Sequence, residues 1–265
     1  MANNRLFKVK RLFLSPLNLL ISFIEGIGRY VELMISMFRS FFTWHKYLNL
    51  SIDHMYQIGI LSIPIVILTS LFSGMVTSVQ AAYQFESGFV PNWFVGSIVG
   101  ESVLLELAPM MTALVMTGRV GATIAAEIGT MRVSEQIDAL ESLSFDPISF
   151  LIFPRIVAAL IMFPLLVIIA DFFGIIGGMF TAMNAMDISQ AEFIRGLRSW
   201  FRPWDAWFGL IKGVCFGFAI TSIACYQGYF TSGGANGVGK STTSTVVVSC
   251  VMIVFLDYFL AEILL

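Results

Sequence analysis

The sequence predicts an all-α integral membrane protein with about five transmembrane helices, an N-terminal amphipathic interfacial helix and a short cytoplasmic helix. Of the 265 residues, 57% are hydrophobic and 12% are charged, which is about half the charged share of a soluble domain. A soluble fold must cover its surface with polar side chains, so this composition excludes both a soluble fold and a disordered chain. The apolar runs are continuous and do not alternate, which excludes a membrane β-barrel and leaves helices.

Charge and cysteine content exclude several classes of function. The chain carries 15 Lys and Arg against 17 Asp and Glu, whereas a nucleic-acid-binding domain usually has a strongly basic face. Three cysteines lie in apolar runs and favour packing over a disulfide framework. His45 and His54 form no ligand cluster in the sequence. We therefore expect no nucleic-acid partner, no metal and no resident cofactor.

Residues 1–52 form a region distinct from the five-span region at 53–265, within one membrane domain. Basic residues at Arg5, Lys8, Lys10 and Arg11 precede an apolar run, as in a signal peptide, but no cleavage site follows. Polar residues then recur at alternating steps of four and three, at Asn18, Ser22, Glu25, Arg29, Glu32, Ser36 and Arg39. The opposite face carries Leu17, Leu20, Ile21, Ile24, Val31, Ile35 and Phe38. This pattern predicts an amphipathic helix in the membrane interface.

Each of the five spans is identified by about 20 or more mostly apolar residues. The spans run from about Met55 to Tyr83, Trp93 to Gly118, Asp146 to Ala182, Trp204 to Phe230 and Thr243 to Leu265. The third span begins with an Asp-Pro pair, which is typical of a helix start. It is long enough that it must tilt, bend or project from the bilayer, and Pro154 and Pro164 are places where it could bend.

The basic residues predict a cytoplasmic N-terminus. The loop around Glu86 has no Lys or Arg and is expected outside, while the segment from Arg119 to Arg155 is expected inside. The loop from Asp187 to Asp205 falls outside although it carries three arginines, at Arg195, Arg198 and Arg202, which departs from the rule. Five spans then place the C-terminus outside.

One string matches a nucleotide-binding motif by sequence alone. Residues 234–241, Gly-Ala-Asn-Gly-Val-Gly-Lys-Ser, fit the pattern of a phosphate-binding P-loop. A functional P-loop lies in an α/β sheet with an acidic metal partner on another strand, whereas this string leads into an apolar span. We interpret it as a glycine-rich cytoplasmic turn, with Lys240 as an anchor at the membrane surface.

Four charged residues inside the spans are the candidate functional side chains. They are Glu101, Glu106, Lys212 and Asp257, and each is costly at such a depth. Counted at about 1.5 Å per residue, Lys212, Glu101 and Asp257 fall in the outer half of the bilayer, with Glu106 nearer its middle. We predict a polar layer in which Lys212 pairs with one of the three acids. The simpler alternative is an ion pair that serves packing only.

The segment between spans 2 and 3 carries a second candidate site. After Thr130 it predicts a short amphipathic helix with an apolar stripe at Val133, Ile137 and Leu140. The charged side is formed by Arg132, Glu135, Asp138 and Glu141. Such a helix is suited to docking on a soluble partner, and the alternative is a solvated connector.

Several motifs in this chain resemble those of the MlaE/YrbE family of permeases. They are Glu106-Leu-Ala-Pro109, Gly118-Arg-Val-Gly-Ala122, Ala126-Glu-Ile-Gly-Thr-Met-Arg-Val133 and Glu135-Gln-Ile-Asp-Ala-Leu140. Further matches lie at Asp146-Pro147, Pro154-Arg155, Gly228-Tyr229, Gly237-Val-Gly239, Thr242-Thr243 and Thr245-Val-Val247. The resemblance covers nearly the whole chain. One departure is Leu105, which stands where many relatives have arginine.

The resemblance implies a non-catalytic permease subunit of an ABC transporter that moves phospholipids or similar hydrophobic molecules between inner and outer membranes. It implies a homodimer in the bacterial inner membrane, with a cytoplasmic ATPase dimer that binds the ATP. A periplasmic MCE-domain protein and, in some systems, a STAS-domain protein complete the assembly. The ATPase-coupling helix would then include Arg132, Glu135, Gln136, Ile137, Asp138 and Leu140.

Two alternatives remain open from the residues themselves. An ion-coupled carrier or channel would use Glu101, Glu106, Lys212 and Asp257 as a relay. A membrane scaffold that holds an MCE protein without transporting lipid would need none of them.

Overall fold

The computed structural model describes Ile21 and residues 24–39, 47–84, 91–185 and 188–265. Within these residues, five helices are long and apolar enough to cross a membrane. Spans 1 to 5 are Leu48–Gln84, Phe94–Val133, Ile148–Ala185, Pro203–Tyr229 and Gly234–Leu264. The described part of the chain contains no β-strand. The predicted all-α membrane fold is confirmed.

Spans 1 to 3 are longer than a bilayer requires. They have 37, 40 and 38 residues, or about 55–60 Å at 1.5 Å per residue, against a hydrocarbon core of about 30 Å. The helix of span 2 continues beyond the predicted end of the membrane segment near Gly118, as far as Val133. No proline interrupts residues 118–133, and the helix ends only where Glu135 takes a left-handed conformation, with φ of 60°.

The two ends of the helix bundle carry different short helices. The basal end holds the connecting helix, Gln136–Ser142, between spans 2 and 3. The distal end holds the helix Gln190–Trp200 between spans 3 and 4. The latter was missed within a predicted loop, although Ser189 and Glu192 form a reciprocal capping box at its start. That spacing is a recognised sequence signal for a helix N-terminus.

Glycines on the spans allow close packing of neighbouring helices within the chain. On span 4, a Cβ added at Gly209 would lie 2.8 Å from the Leu104 carbonyl oxygen, and one at Gly213 would lie 3.3 Å from Pro164 Cα. On spans 1 and 3, Gly74 packs directly on the backbone of Gly174. These approaches are the ones that rows of small residues permit between membrane helices.

Span 5 begins nine residues earlier than the predicted Thr243, at Gly234. Gly233 and Gly234, with φ of 92° and 68°, make the turn that precedes it. The P-loop-like string 234–241 therefore belongs to a helix. Our interpretation of it as a glycine-rich turn was also wrong, since only the first residues turn, and Ser241 accepts a hydrogen bond from Thr231 across the bend at 2.9 Å.

The N-terminal helix, described over residues 24–39, has a third face that the sequence analysis missed. Its predicted apolar face is exposed, as in Ile24 at 66% and Phe38 at 61%. A separate stripe of Leu33, Met34 and Met37 is buried. Tyr30 shares a hydrogen bond of 2.8 Å with Ser222 of span 4, and burial raises the pKa of its phenol above the ordinary value. Its location in the membrane interface stays a prediction.

Some sequence predictions fall outside the described residues. They concern the basic cluster Arg5 to Arg11, the start of the amphipathic pattern at Leu17 to Leu20, His45, the loop around Glu86, and Asp187.

Candidate functional site

Lys212 of span 4 is the centre of an ionic cluster inside the helix bundle. Its side chain is completely buried, and its ammonium lies 2.7 Å from Glu106 Oε2 and 2.7 Å from Asp257 Oδ1. The three charges come from spans 4, 2 and 5, so the cluster joins three helices. The sequence analysis proposed three acids as partners of Lys212, and two of them, Glu106 and Asp257, contact it in the structure. We call these three residues the Lys212 cluster.

The local geometry of span 2 creates a further acceptor for Lys212. Pro109 has no N–H, so the carbonyl of Leu105, four residues earlier, lacks its helical partner. Residues Val103–Leu107 also form a π-helical turn, a feature often found at functional sites. Lys212 Nζ donates to the freed Leu105 oxygen at 3.0 Å. The sequence contained this signal in the Glu106-x-x-Pro109 spacing, but we did not interpret it.

The Lys212 cluster contacts an aromatic ring at its lysine and is partly exposed at Glu106. The Phe208 ring lies one turn before Lys212, with its centroid 4.7 Å from the ammonium. Exposure of the acids differs, because the Asp257 side chain is 14% exposed and the Glu106 side chain 44% exposed. Glu106 therefore connects the buried lysine to the surface of span 2.

The charge balance of the cluster determines what it can do. One ammonium faces two carboxyl groups, so a fully ionised cluster carries one excess negative charge. A lone ion at this depth would be costly, and the Leu105 carbonyl and Phe208 ring further stabilise the ammonium. The arrangement joins spans 2, 4 and 5 through one buried cation.

Two other intramembrane acids stay apart from the cluster. Among the described residues, Glu101 takes part in no ion pair, although it lies on the same span as Glu106. Asp171 of span 3 is partly buried, and its Oδ1 atom has no hydrogen-bond partner within the described chain. Glu101 therefore does not join the predicted polar layer through direct contact.

The connecting helix at the basal end differs from its prediction. The prediction of a single helix after Thr130 was wrong. The backbone turns at Ser134 and Glu135, and this turn separates Val133 from the helix Gln136–Ser142. Ile137 is fully buried, Leu140 is half-buried and Val133 is 37% exposed. Arg132 and Asp138 form an ion pair of 2.7 Å across the turn. Glu135, Gln136 and Asp138 are exposed and present a polar surface.

Contacts of two arginines join the spans to one another at the basal end. The Arg132 guanidinium lies over the Tyr229 ring, 5.8 Å from its centroid. Arg155 of span 3 is buried, donates to the Leu151 carbonyl at 2.7 Å and pairs with Glu127 of span 2 at 3.2 Å. The Arg155–Glu127 pair was missed, because its residues lie 28 positions apart in the sequence and Arg155 was assigned only to the cytoplasmic segment and to a Pro-Arg motif.

A large apolar groove runs along span 4 between the N-terminal helix and span 5. Its volume is about 930 Å³. Residues that line it include Tyr30, Leu160, Phe218, Ile223, Met252 and Leu256. Its polar residues, such as Arg29 and Gln227, lie near the basal end of span 4. The groove has the size and character of a surface that contacts hydrocarbon chains or another apolar helix.

The fold and the site define a class of protein. In the described part of the chain, five spans and an ionic cluster that joins three of them are the features of a multi-pass integral membrane protein.

Comparison with known proteins gives the particular family. The sequence profile described as Permease MlaE matches residues 51–263. A probable ABC transporter permease protein of Rickettsia conorii is 40% identical over 242 residues, covering 91% of this chain and 93% of the relative. A probable ABC transporter permease protein of Synechocystis is 39% identical, covering 80% of each chain.

A third relative has a more specific name. The intermembrane phospholipid transport system permease protein MlaE of Haemophilus influenzae is 34% identical over 222 residues, covering 83% of this chain and 84% of the relative. This chain belongs to the MlaE permease family.

Proposed function

We propose that this chain is the permease subunit of an ABC transporter that moves phospholipids between the inner and outer membranes of a bacterium. The observation that carries the proposal is the match to the MlaE family over residues 51–263, together with the phospholipid transport named for the Haemophilus relative. The apolar groove on span 4 supports a hydrophobic cargo. The chain lies in the inner membrane with its N-terminus and basal end in the cytoplasm.

The energy source belongs to a partner chain. Residues 234–241 match the P-loop pattern but form the start of span 5, and a P-loop must wrap its backbone around phosphate. A cytoplasmic ATPase dimer therefore binds and hydrolyses the ATP. On the distal side, a periplasmic MCE-domain protein receives or delivers the lipid, and some assemblies include a STAS-domain protein.

The connecting helix is the site at which the ATPase transmits its motion. Buried Ile137 attaches the helix to the spans, while Glu135, Gln136 and Asp138 are exposed and present a polar surface to a partner. Arg132 at the end of span 2 pairs with Asp138 of the connecting helix and lies over Tyr229 at the end of span 4, and span 4 carries Lys212. A displacement of the connecting helix can therefore reach the Lys212 cluster along one rigid helix.

A second copy of the chain completes the permease. Span 5 exposes a row of large apolar side chains at Val247, Val251, Val254, Phe255 and Tyr258. In a homodimer, span 5 of each copy contributes part of this row to a central contact, and Asp257 then lies beside the space between the copies. In this proposal, the Lys212 cluster lies at the wall of the lipid path.

The proposal is tested by purification and reconstitution. The tagged chain should co-purify from detergent with an ATPase subunit, and the reconstituted complex should move a fluorescent phospholipid only while ATP is hydrolysed. An exposed-surface change on the connecting helix, Glu135→Lys with Asp138→Lys, should release the ATPase while the chain stays folded. Co-purification with no ATPase would contradict the proposal.

The ion-coupled carrier is the second candidate, because the Lys212 cluster contains groups that can exchange protons or cations. It predicts transport driven by an ion gradient in vesicles that contain no ATPase. The non-transporting scaffold predicts that lipid distribution is unchanged by Glu135→Lys and Asp138→Lys. The same reconstitution with and without ATP separates all three.

A further inference from the structure

A small polar cavity lies at the basal end between spans 1 and 2, away from the Lys212 cluster. Its volume is about 290 Å³. Side chains from both spans line it, among them His54, Gln57, Leu61, Arg119, Thr123 and Glu127. We call it the Arg119 pocket. The proposed transport mechanism assigns no role to this pocket.

The charges around the pocket leave one cation without a carboxylate. Glu127 is engaged by Arg155 at 3.2 Å. Arg119 donates a hydrogen bond to the Ser62 hydroxyl, and within the described residues it forms no ion pair. A guanidinium has five N–H donors, so most of them remain for a ligand. The pocket therefore favours an anion.

The depth of Arg119 indicates which anion is at hand. Trp93, just before span 2, is of the residue type that marks a membrane surface. Arg119 follows Phe94 by 25 residues, a rise of about 38 Å, while the hydrocarbon core is about 30 Å thick. Arg119 thus reaches the headgroup layer of the opposite, basal leaflet, where lipid phosphates lie.

The rim of the pocket continues onto an apolar surface. Ile60 and Leu61 of span 1 are 50% and 48% exposed, and Leu61 itself lines the cavity. An anion with hydrocarbon tails can place its charge against Arg119 and its tails along this part of span 1. A free phosphate ion would gain nothing from that surface.

We infer that the Arg119 pocket binds the phosphate of a phospholipid from the basal leaflet. The Arg119 guanidinium donates to the phosphate oxygens, the Gln57 amide supplies a further donor, and the acyl chains lie over Ile60 and Leu61. The inference deepens the proposed function, and it rests on that function only in taking the bound lipid as cargo. Binding itself needs no ATP and no partner.

The test is native mass spectrometry of the full-length chain released from micelles that contain phosphatidylethanolamine and phosphatidylglycerol. The mass of each adduct separates a bound phospholipid from inorganic phosphate added to the same sample. Arg119→Gln should lower the lipid-bound fraction about ten-fold, because the neutral amide loses the charge-assisted hydrogen bonds that a guanidinium gives to phosphate. Arg119→Lys should retain more lipid than Arg119→Gln.

Two further variants keep the test decisive if Arg119→Gln fails to fold. Thr123 is an exposed residue at the rim, so Thr123→Asp should fold and repel the phosphate. Arg195→Gln is the matched control, because Arg195 is exposed at the distal end beside Trp93. A photoreactive residue at Gln57 should crosslink to phospholipid in the parent protein and lose that crosslink with Thr123→Asp.

The outcomes separate the pocket from the transporter. Equal lipid occupancy in the parent, Arg119→Gln and Thr123→Asp proteins would overturn the pocket, as would an inorganic phosphate adduct in place of lipid. If the pocket variants lose lipid but the reconstituted complex moves none with ATP, the proposed function fails and the pocket stands. If transport is intact and lipid occupancy is unchanged, only the pocket fails.

Discussion

The Lys212 cluster and the Arg132–Asp138 pair have the same N–O distance, 2.7 Å, but very different surroundings. Lys212 is completely buried, while Arg132 and Asp138 are 35% and 54% exposed. Water screens an exposed pair, which contributes about 0–1 kcal/mol. Breaking a buried pair costs about 3–5 kcal/mol because a charge is left without compensation. The contribution of each ion pair to the stability of this protein therefore depends on its burial and not on its N–O distance.

The largest effect is expected for Lys212→Met, which removes the cation and keeps much of the side-chain volume. Two carboxyl groups then face each other inside the bundle. We expect the folding free energy to fall by about 3–5 kcal/mol, and we expect lipid transport to be lost as well. Thermal unfolding of the purified protein in detergent measures the first effect. An unchanged unfolding temperature would show that the cluster is not a structural element of the fold.

A smaller loss is expected when one acid is neutralised, because Lys212 keeps its other partner. Asp257→Asn should cost more than Glu106→Gln, since Asp257 is less exposed, and each should cost about 1–3 kcal/mol. Combining both changes with Lys212→Met removes every charge and should recover part of the stability of Lys212→Met alone. Asp171→Asn is the control, and a loss there equal to that of Asp257→Asn would contradict the ranking.

Ile137→Ala tests the attachment of the connecting helix. Ile137 is the residue of that helix that is fully buried, and truncating such a side chain costs about 2–5 kcal/mol. Because the helix is short, we expect local detachment, seen as faster hydrogen exchange at residues 136–142 with little change in the five spans. Val133→Ala, at a 37% exposed position, should leave the exchange rates unchanged.

The smallest effect is expected for Arg132→Gln. The exposed ion pair with Asp138 is lost together with the contact to the Tyr229 ring, and we expect at most about 1 kcal/mol. The unfolding temperature should change little, and less still at high salt. A loss as large as that of Lys212→Met would mean that exposure does not govern these charges.

The charged residues of the spans show how much of the site could be predicted from the sequence. Lys212, Glu106 and Asp257 interrupt long apolar runs, which made them candidates for pairing. The helix rise placed Glu101 level with Lys212 and Glu106 nearer the middle, so it did not select the two acids that pair. Glu101 lies at a similar depth yet remains outside the cluster, because helix rotation and the π-helical turn at Val103–Leu107 determine which side chains face span 4. Sequence spacing alone does not give that rotation.

The errors at helix ends have a common cause. Span 2 continues past Gly118, and span 5 begins before Thr243, since hydrophobicity marks where lipid ends and not where a helix ends. Arg155 was missed as a functional contact because its partner, Glu127, lies 28 positions away, beyond any local pattern.

The role of this chain as an ABC permease is tested most directly by ATP-dependent lipid movement. The assay uses proteoliposomes that contain the chain, its ATPase and a fluorescent phospholipid. The parent protein should move lipid only with ATP, and Lys212→Met should abolish movement. Movement driven by an ion gradient without ATP, or full activity of Lys212→Met, would contradict the central claim that this is an ABC permease whose lipid path is bounded by the Lys212 cluster.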